Sequence, residues 1–278
     1  MSKGKLFKRL AVLSAVAFIT LGALAGCGKS SKSDELSTKS ITIGVTGGPH
    51  EQIAQQVKKL AAKDGLKIKI KVFSDYNTPN SALSSGDLDA NSYQTIPFLK
   101  AQEKAKSYKF DNAFETVAFP MGIYSNTLKN LDDLKDGDSI AVPNDPANET
   151  RALELFQKAG VLKIKKGVGQ NATKNTIASN PKHLKIVELD AAQLPKQLGE
   201  VTAAAINTNY AYSAGLTIKG NAIYHEKLTN NPYPNIFVVK SGHKDDKVVK
   251  QLDKYYHSQT IKNYITKTFG GSVVIAGK

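Results

Sequence analysis

Apolar and polar residues alternate along Ile41-Thr42-Ile43-Gly44-Val45-Thr46, and a period of two predicts a strand. The spacing changes after Gly47-Gly48-Pro49. Ile53, Val57, Leu60 and Ala61 fall at i, i+4, i+7 and i+8, one face of a helix that Asp64-Gly65 ends. Lys67-Ile68-Lys69-Ile70-Lys71-Val72-Phe73 returns to period two, with lysines guarding the outer face of a half-buried or edge strand. This β-α-β opening predicts a parallel sheet and an α/β fold.

Ligands of such sheets gather at the carboxyl ends of the strands. Three segments fall there: Thr46 to His50, Ser74 to Asn80, and Gly86 to Thr95, the last preceding a helix opened by Pro97. Tyr76 and Tyr93 lie in two of them, and a tyrosine ring can wall an apolar pocket while its hydroxyl stays paired.

From Glu115 to Ser125 a strand runs through Phe119-Pro120-Met121-Gly122, which reads as a hinge into new β-α units. Ser139 to Val142 is a short strand. Leu184 to Leu189 and Ala203 to Ile206 are others, the last ending on Asn207, which can meet a polar ligand or cap the helix of Tyr210 to Ala214. After Pro232-Tyr233-Pro234-Asn235 come the strand Ile236 to Val239 and helical sequence from Asp245 to Phe269, a tail expected to pack back on the first lobe. The chain is then expected to cross between lobes near Pro120 and again near Pro232. Residues 41–121 with 232–278 form one lobe and 122–231 the other, enclosing a cleft that closes by hinge motion.

The stretch from Pro143 to Leu153 carries the candidate chemistry. Asn144 or Asp145 can cap a helix whose first turn holds Pro146, and a helix start is a site for an anion. Of 38 basic residues only Arg9 and Arg151 are arginine. Arg151 lies about one turn into this helix, and its planar fork can hold a carboxylate bidentately. A surface salt bridge to Glu154 or Glu149 is the alternative.

The first residues carry Lys3, Lys5, Lys8 and Arg9 without an acid, followed by an apolar run from Leu10 to Ala25. Such a run is shorter than the ~20 residues of a membrane span, and residues 1–26 read as an export signal. Leu24-Ala25-Gly26-Cys27 looks like a bacterial lipobox, with Cys27, the only cysteine, as the lipidated residue of the mature protein. Residues 27–40 are polar and read as a flexible tether. Removing residues 1–26 takes away four positive charges and lowers the net charge from +14 to +10. The lysines are scattered rather than blocked with aromatics, which argues against nucleic acid and for a solvated surface beside anionic lipid or wall polymer.

An enzyme is a poor fit. There is no G-x-S-x-G, no second cysteine, and no His/Asp/Glu run with metal-ligand spacing, so no cofactor is expected. His50, the histidine best placed for chemistry, reads as a rim or capping residue. A surface adhesin on the same fold is the other class to weigh.

Gly47-Gly48-Pro49-His50, Asp87-Leu88-Asp89-Ala90-Asn91, Pro143-Asn144-Asp145-Pro146, Arg151-Ala152-Leu153, Glu188 to Pro195 and Ile206 to Ala211 together resemble the methionine-binding lipoprotein family, across the mature body and in the family's order. The resemblance implies a two-lobed periplasmic-binding-protein fold of type II-like form. It implies a monomer on the extracytoplasmic face of the cell membrane that delivers an amino acid to an ABC permease driven by its ATPase. By the same resemblance Arg151 falls where the family's arginine holds the substrate carboxylate. Asn207 and Asn235 match its polar-end asparagines, and Tyr76 and Tyr93 its aromatic positions; Asn144 and Thr95 join the expected binding set. The chain departs from the family at Ser92-Tyr93-Gln94-Thr95, where relatives show two aromatics, glutamine and histidine. One ring and an imidazole that face the ligand side chain in the family are missing. Methionine is the expected ligand, with a methionine-containing dipeptide or another apolar amino acid as alternatives.

Overall fold

The computed structural model describes residues 35–277, so the export signal, Cys27 and the first part of the tether lie outside the described residues. The elements in chain order begin with β1 (Ser40–Thr46), α1 (Pro49–Lys63), β2 (Lys67–Phe73), α2 (Thr78–Ser85), β3 (Ala90–Thr95), α3 (Ile96–Lys106) and β4 (Phe110–Ala118). Then follow β5 (Gly122–Tyr124), β6 (Ser139–Pro143), α4 (Pro146–Lys158), β7 (Lys163–Ile164), β8 (Ile177–Ser179), β9 (Lys185–Leu189) and α5 (Leu194–Gln197). The chain closes with β10 (Ala203–Ile206), α6 (Thr208–Ser213), α7 (Ile218–Asn221), β11 (Tyr224–His225), β12 (Pro234–Lys240), α8 (Lys247–Tyr256), α9 (Gln259–Phe269) and β13 (Val274–Ile275).

Two sheets form the body. The first has the order β13-β4-β12-β3-β1-β2, and the second β11-β5-β10-β6-β9. As the opening β-α-β pattern requires, β1 pairs parallel to β2, which is the edge strand. The chain leaves the first sheet after β4, enters the second at β5, and returns between β11 and β12. The fold therefore has two lobes and two crossings. Central strands are apolar on both faces because each face is covered. Phe237 and Val239 of β12 face one core with Ile43, Val57, Leu252 and Ile265, while Ile236 and Val238 face another with Leu83 and Leu88. In the second lobe Ala203 and Ala205 of β10 pack with Ile140, Leu153 and Phe156, and Ala204 and Ile206 pack with Leu194 on the opposite face.

Three local features differ from expectation. The segment Gly86 to Thr95, read as a strand-end loop, contains the buried strand β3, whose sequence Ala-Asn-Ser-Tyr-Gln-Thr has no apolar alternation. It can be buried because its amides are paired. Asn91 Nδ2 and Gln94 Nε2 both donate to Asn80 Oδ1, at 2.9 and 2.7 Å, and Asn80 Nδ2 donates to Gln94 Oε1 at 2.8 Å. The helical tail is two helices, α8 and α9, broken where the Ser258 side chain caps the second. The polar stretch taken as tether up to residue 40 is docked from Leu36, which packs on the first core and donates its N–H to Asp246 Oδ2 at 2.8 Å.

Candidate functional site

The strand-turn-helix from β6 into α4 builds a polar relay. Asp145 is the N-cap of α4, and its carboxylate accepts from the Asn148 N–H at 2.9 Å. The helix start expected to await a ligand anion is thus occupied by the chain's own. Burial raises the Asp145 carboxyl above its ordinary range, opposed by its hydrogen bonds to Asn148 and Ala147. An ionised carboxylate only accepts, so Asn148 Nδ2 must be the donor to Asp145 Oδ1 and Oδ2, at 3.1 and 2.9 Å. That leaves Asn148 Oδ1 to accept from Asn207 Nδ2 at 2.8 Å. Asn207 Oδ1 is then buried with no partner. Asn207 stands at the start of α6, but its side chain makes no capping bond, which resolves its two possible roles against the cap.

Arg151, on the second turn of α4, is buried with 4% of its surface exposed. Its Nε and Nη2 donate to Glu226 Oε1 and Oε2 at 2.7 and 2.6 Å, and Nη2 also donates to Phe119 O at 2.7 Å. Its guanidinium carbon lies 4.3 Å from the Tyr233 ring centroid. The salt bridge is therefore real, but with Glu226 rather than Glu154 or Glu149. The bidentate edge of the fork is committed to that residue, and Nη1 makes none of the described hydrogen bonds. Burial would lower the guanidinium pKa, but Glu226 more than offsets it and the net shift is upward. Burial would likewise raise Glu226, yet Arg151, Asn231 and the Met121 N–H hold it below the usual carboxylate range.

A narrow cavity of ≈ 20 Å³ lies between the lobes. The second lobe contributes Asn148, Arg151, Asn207, Thr208 and Asn209. The first contributes Tyr76, Tyr93, Phe98 and Thr95 around one side and His50 with Asn235 on another. The Tyr76 ring centroid lies 6.0 Å from that of Tyr93, 5.8 Å from Phe98 and 4.8 Å from Tyr210. Tyr93 donates its hydroxyl to Tyr76 O at 2.8 Å, and Tyr76 donates across the cleft to Asn209 Oδ1 at 2.5 Å. Asn209 Nδ2 is left buried without a partner. Among the described residues three buried side-chain polar atoms lack one, and two of them, Asn207 Oδ1 and Asn209 Nδ2, belong to residues lining this cavity. A buried unpaired polar atom costs about 1–3 kcal/mol, so their clustering marks a place built for a guest.

The lobes approach closely at Gly48. Its φ is +81°, and a Cβ there would lie 2.6 Å from Ser213 Oγ and 3.1 Å from Asn209 O of α6. Only glycine fits both the turn and the contact. The next turn places His50 inside the cavity wall, where it is neither a rim residue nor a cap. Asn235 Oδ1 accepts from His50 Nε2 at 3.1 Å, which leaves Nδ1 to accept from the Thr46 hydroxyl at 2.8 Å. Burial lowers its pKa to about 4, only partly opposed by the bond to Asn235, and the ring is neutral near pH 7.

Of the expected binding residues, Arg151, Asn207, Asn235, Tyr76, Tyr93 and Thr95 converge on the cavity. Asn144 does not: it is exposed, its N–H bonds to Leu189 O at 2.8 Å, and it is absent from the lining. Ser92 is buried but also absent from the lining, whereas the next three residues, Tyr93, Gln94 and Thr95, all belong to it. Of the two positions that depart from the family pattern, Thr95 faces the cavity. Sequence reasoning placed His50 at the rim or a cap and missed Phe98, Asn148 and Asn209. Asn148 carried a signal, since it sits three residues before Arg151 and shares its helix face.

Loss of the Tyr76 hydroxyl removes one of the hydrogen bonds that join the lobes, beside those of Tyr210 to Ser74 O and Tyr233 to Glu154. Tyr76→Phe is expected to weaken ligand binding by about 1 kcal/mol, roughly fivefold, in titration calorimetry, with thermal stability of the unliganded protein nearly unchanged.

Residues 41–277 match the family model described as NlpA lipoprotein. Over 271 residues the chain is 42% identical to the D-methionine-binding lipoprotein MetQ of Salmonella typhimurium, covering 96% of this chain and 97% of the relative. A nutrient-binding protein from Burkholderia cenocepacia, solved bound to methionine, is 49% identical with a TM-score of 0.83, covering 85% of this chain and all of that one. A periplasmic substrate-binding protein of an ABC transporter from Coxiella burnetii is 46% identical with a TM-score of 0.82, covering 85% and 100% of the two chains. On the family match and these identities over nearly full length, the chain belongs to the NlpA lipoprotein family.

Proposed function

We propose that the chain is a lipid-anchored substrate-binding protein that captures methionine in the interlobe cavity and delivers it to an ABC importer. The cavity's unpaired polar atoms carry this reading. Asn207 Oδ1 is an acceptor for an ammonium, while Asn209 Nδ2 and Arg151 Nη1 are donors for a carboxylate. An α-amino acid presents both groups on one carbon. The aromatic side formed by Tyr76, Tyr93 and Phe98 suits an apolar, polarisable side chain such as a thioether. The names of the Salmonella and Burkholderia relatives point to the same ligand. Delivery to a permease follows from the Coxiella relative's description, and the anchor from the family and from Cys27 at the end of the expected export signal.

Titration calorimetry of the full-length chain in mild detergent, with L- and D-methionine and the other apolar amino acids, tests the reading. One-to-one binding of methionine, tighter than leucine or alanine, is expected. No heat with any amino acid, using protein shown by mass spectrometry to be ligand-free, would end it.

Thr95 stands where its family has an imidazole, and its hydroxyl accepts from Phe98 N at 3.4 Å. Thr95→His is expected to change the ranking among apolar ligands several-fold while glycine-like recognition of the amino and carboxyl ends persists. An equal loss for every ligand would remove Thr95 from the side-chain pocket.

A further inference from the structure

Among the residues lining the cavity, Arg151 is the only one that carries a formal charge near neutral pH. Glu226 lies behind it, buried, and does not line the cavity. Its carboxylate takes the Nε/Nη2 edge of Arg151 and also accepts from the Met121 N–H and Asn231 Nδ2, both at 2.9 Å. Its own N–H donates to Met121 O at 3.0 Å. Met121 lies in the first crossing and Glu226 opens the second, so the carboxylate is fixed by both hinge segments and cannot follow a ligand.

We infer that Glu226 is the positioning and specificity-determining residue of the site: it presents only Nη1 of Arg151 to the ligand and makes the wall electrically neutral, selecting zwitterions over monoanions. This rests on the amino-acid reading above. A free guanidinium in a water-poor cavity would hold any carboxylate, with or without an amino group. With Glu226 beside it, a monoanion adds an uncompensated charge to the cavity. A zwitterion adds none, and its ammonium meets the neutral acceptor Asn207 Oδ1 while lying in the field of Glu226. Bidentate capture of the ligand carboxylate by the Nε/Nη2 edge is excluded while Glu226 holds it.

The test compares methionine with its desamino analogue 4-(methylthio)butanoate, using the full-length chain in detergent. Wild type should bind methionine at least tenfold tighter. In Glu226→Gln the methionine affinity should fall while that of the desamino analogue holds or rises, so the methionine preference should narrow by roughly tenfold or more, because the remaining positive charge now favours the monoanion. Glu226→Asp, which keeps the charge, should keep the preference within about threefold of wild type. A merely structural role would lower both ligands by one factor, and an unchanged ratio in Glu226→Gln would overturn the inference. If that variant does not fold, wild type and Glu226→Asp decide: equal affinity for the two ligands in wild type, or collapse of the preference in Glu226→Asp, overturns it. Wild type that binds no methionine would instead remove the amino-acid reading itself.

Discussion

Arg151→Ala is expected to weaken amino-acid binding by at least about 30-fold and to destabilise the unliganded protein as well. The two losses have different causes. Arg151 and Glu226 are both almost fully buried, with 5% and 7% of their side-chain surfaces exposed. Removing the arginine leaves a buried carboxylate whose other partners are one backbone N–H and one amide. Breaking one side of such a pair costs about 3–5 kcal/mol. The ligand carboxylate separately loses its charged donor, worth at least ~2 kcal/mol, or roughly 30-fold in affinity. Denaturant unfolding and calorimetry of Arg151→Ala beside Arg151→Gln/Glu226→Gln separate these terms. The double variant leaves no buried charge, so it should recover most of the stability and none of the binding. Recovery of binding together with stability would show that Arg151 serves the fold alone.

His50→Gln is expected to change how stability responds to acid. The folded-state pKa of His50 is about 4 against an ordinary 6.5, because burial disfavours the charged ring. Below pH 6.5 the unfolded chain takes up a proton that the folded chain refuses. The contribution of the neutral ring is fully present above pH 6.5 and is lost as pH falls towards 4, amounting to about 3 kcal/mol over that window. Glutamine can replace both hydrogen bonds without titrating. Glu149 acts in the opposite direction: burial raises its carboxyl to about 7, so its contribution is lost as pH rises from 4.5 through 7. The wild-type profile alone therefore mixes two opposing slopes. The difference in unfolding free energy between wild type and His50→Gln cancels the Glu149 part and should shrink steadily from pH 6.5 to 4. A difference independent of pH would mean that His50 is accessible to protons in the folded state.

Much of the architecture could be read from spacing. β1, α1 and β2 follow hydrophobic periodicity because one or both of their faces meet a core, β10 is a continuous apolar run buried on both faces, and the two crossings follow from the Pro-rich segments near residues 120 and 232. β3 could not, since its burial depends on an amide network with Asn80, a residue on a different element. The rarity of arginine singled out Arg151, but rarity does not name a partner. Glu226 is 75 residues away and comes into reach only where the chain crosses back between lobes. The reading of the α4 start as an empty anion site failed for a local reason. Asp145 both caps the helix and supplies the anion, and its hydrogen bonds reach the ligand cavity through Asn148 and Asn207.

A crystal structure of the protein grown with methionine bears most directly on the polar grip between the lobes. A carboxylate oxygen is expected within ~3 Å of Arg151 Nη1, and the ammonium within similar reach of Asn207 Oδ1, with the Arg151–Glu226 pair intact. Methionine seated outside the interlobe cavity, or bound there with its carboxylate turned away from Arg151, would contradict the account.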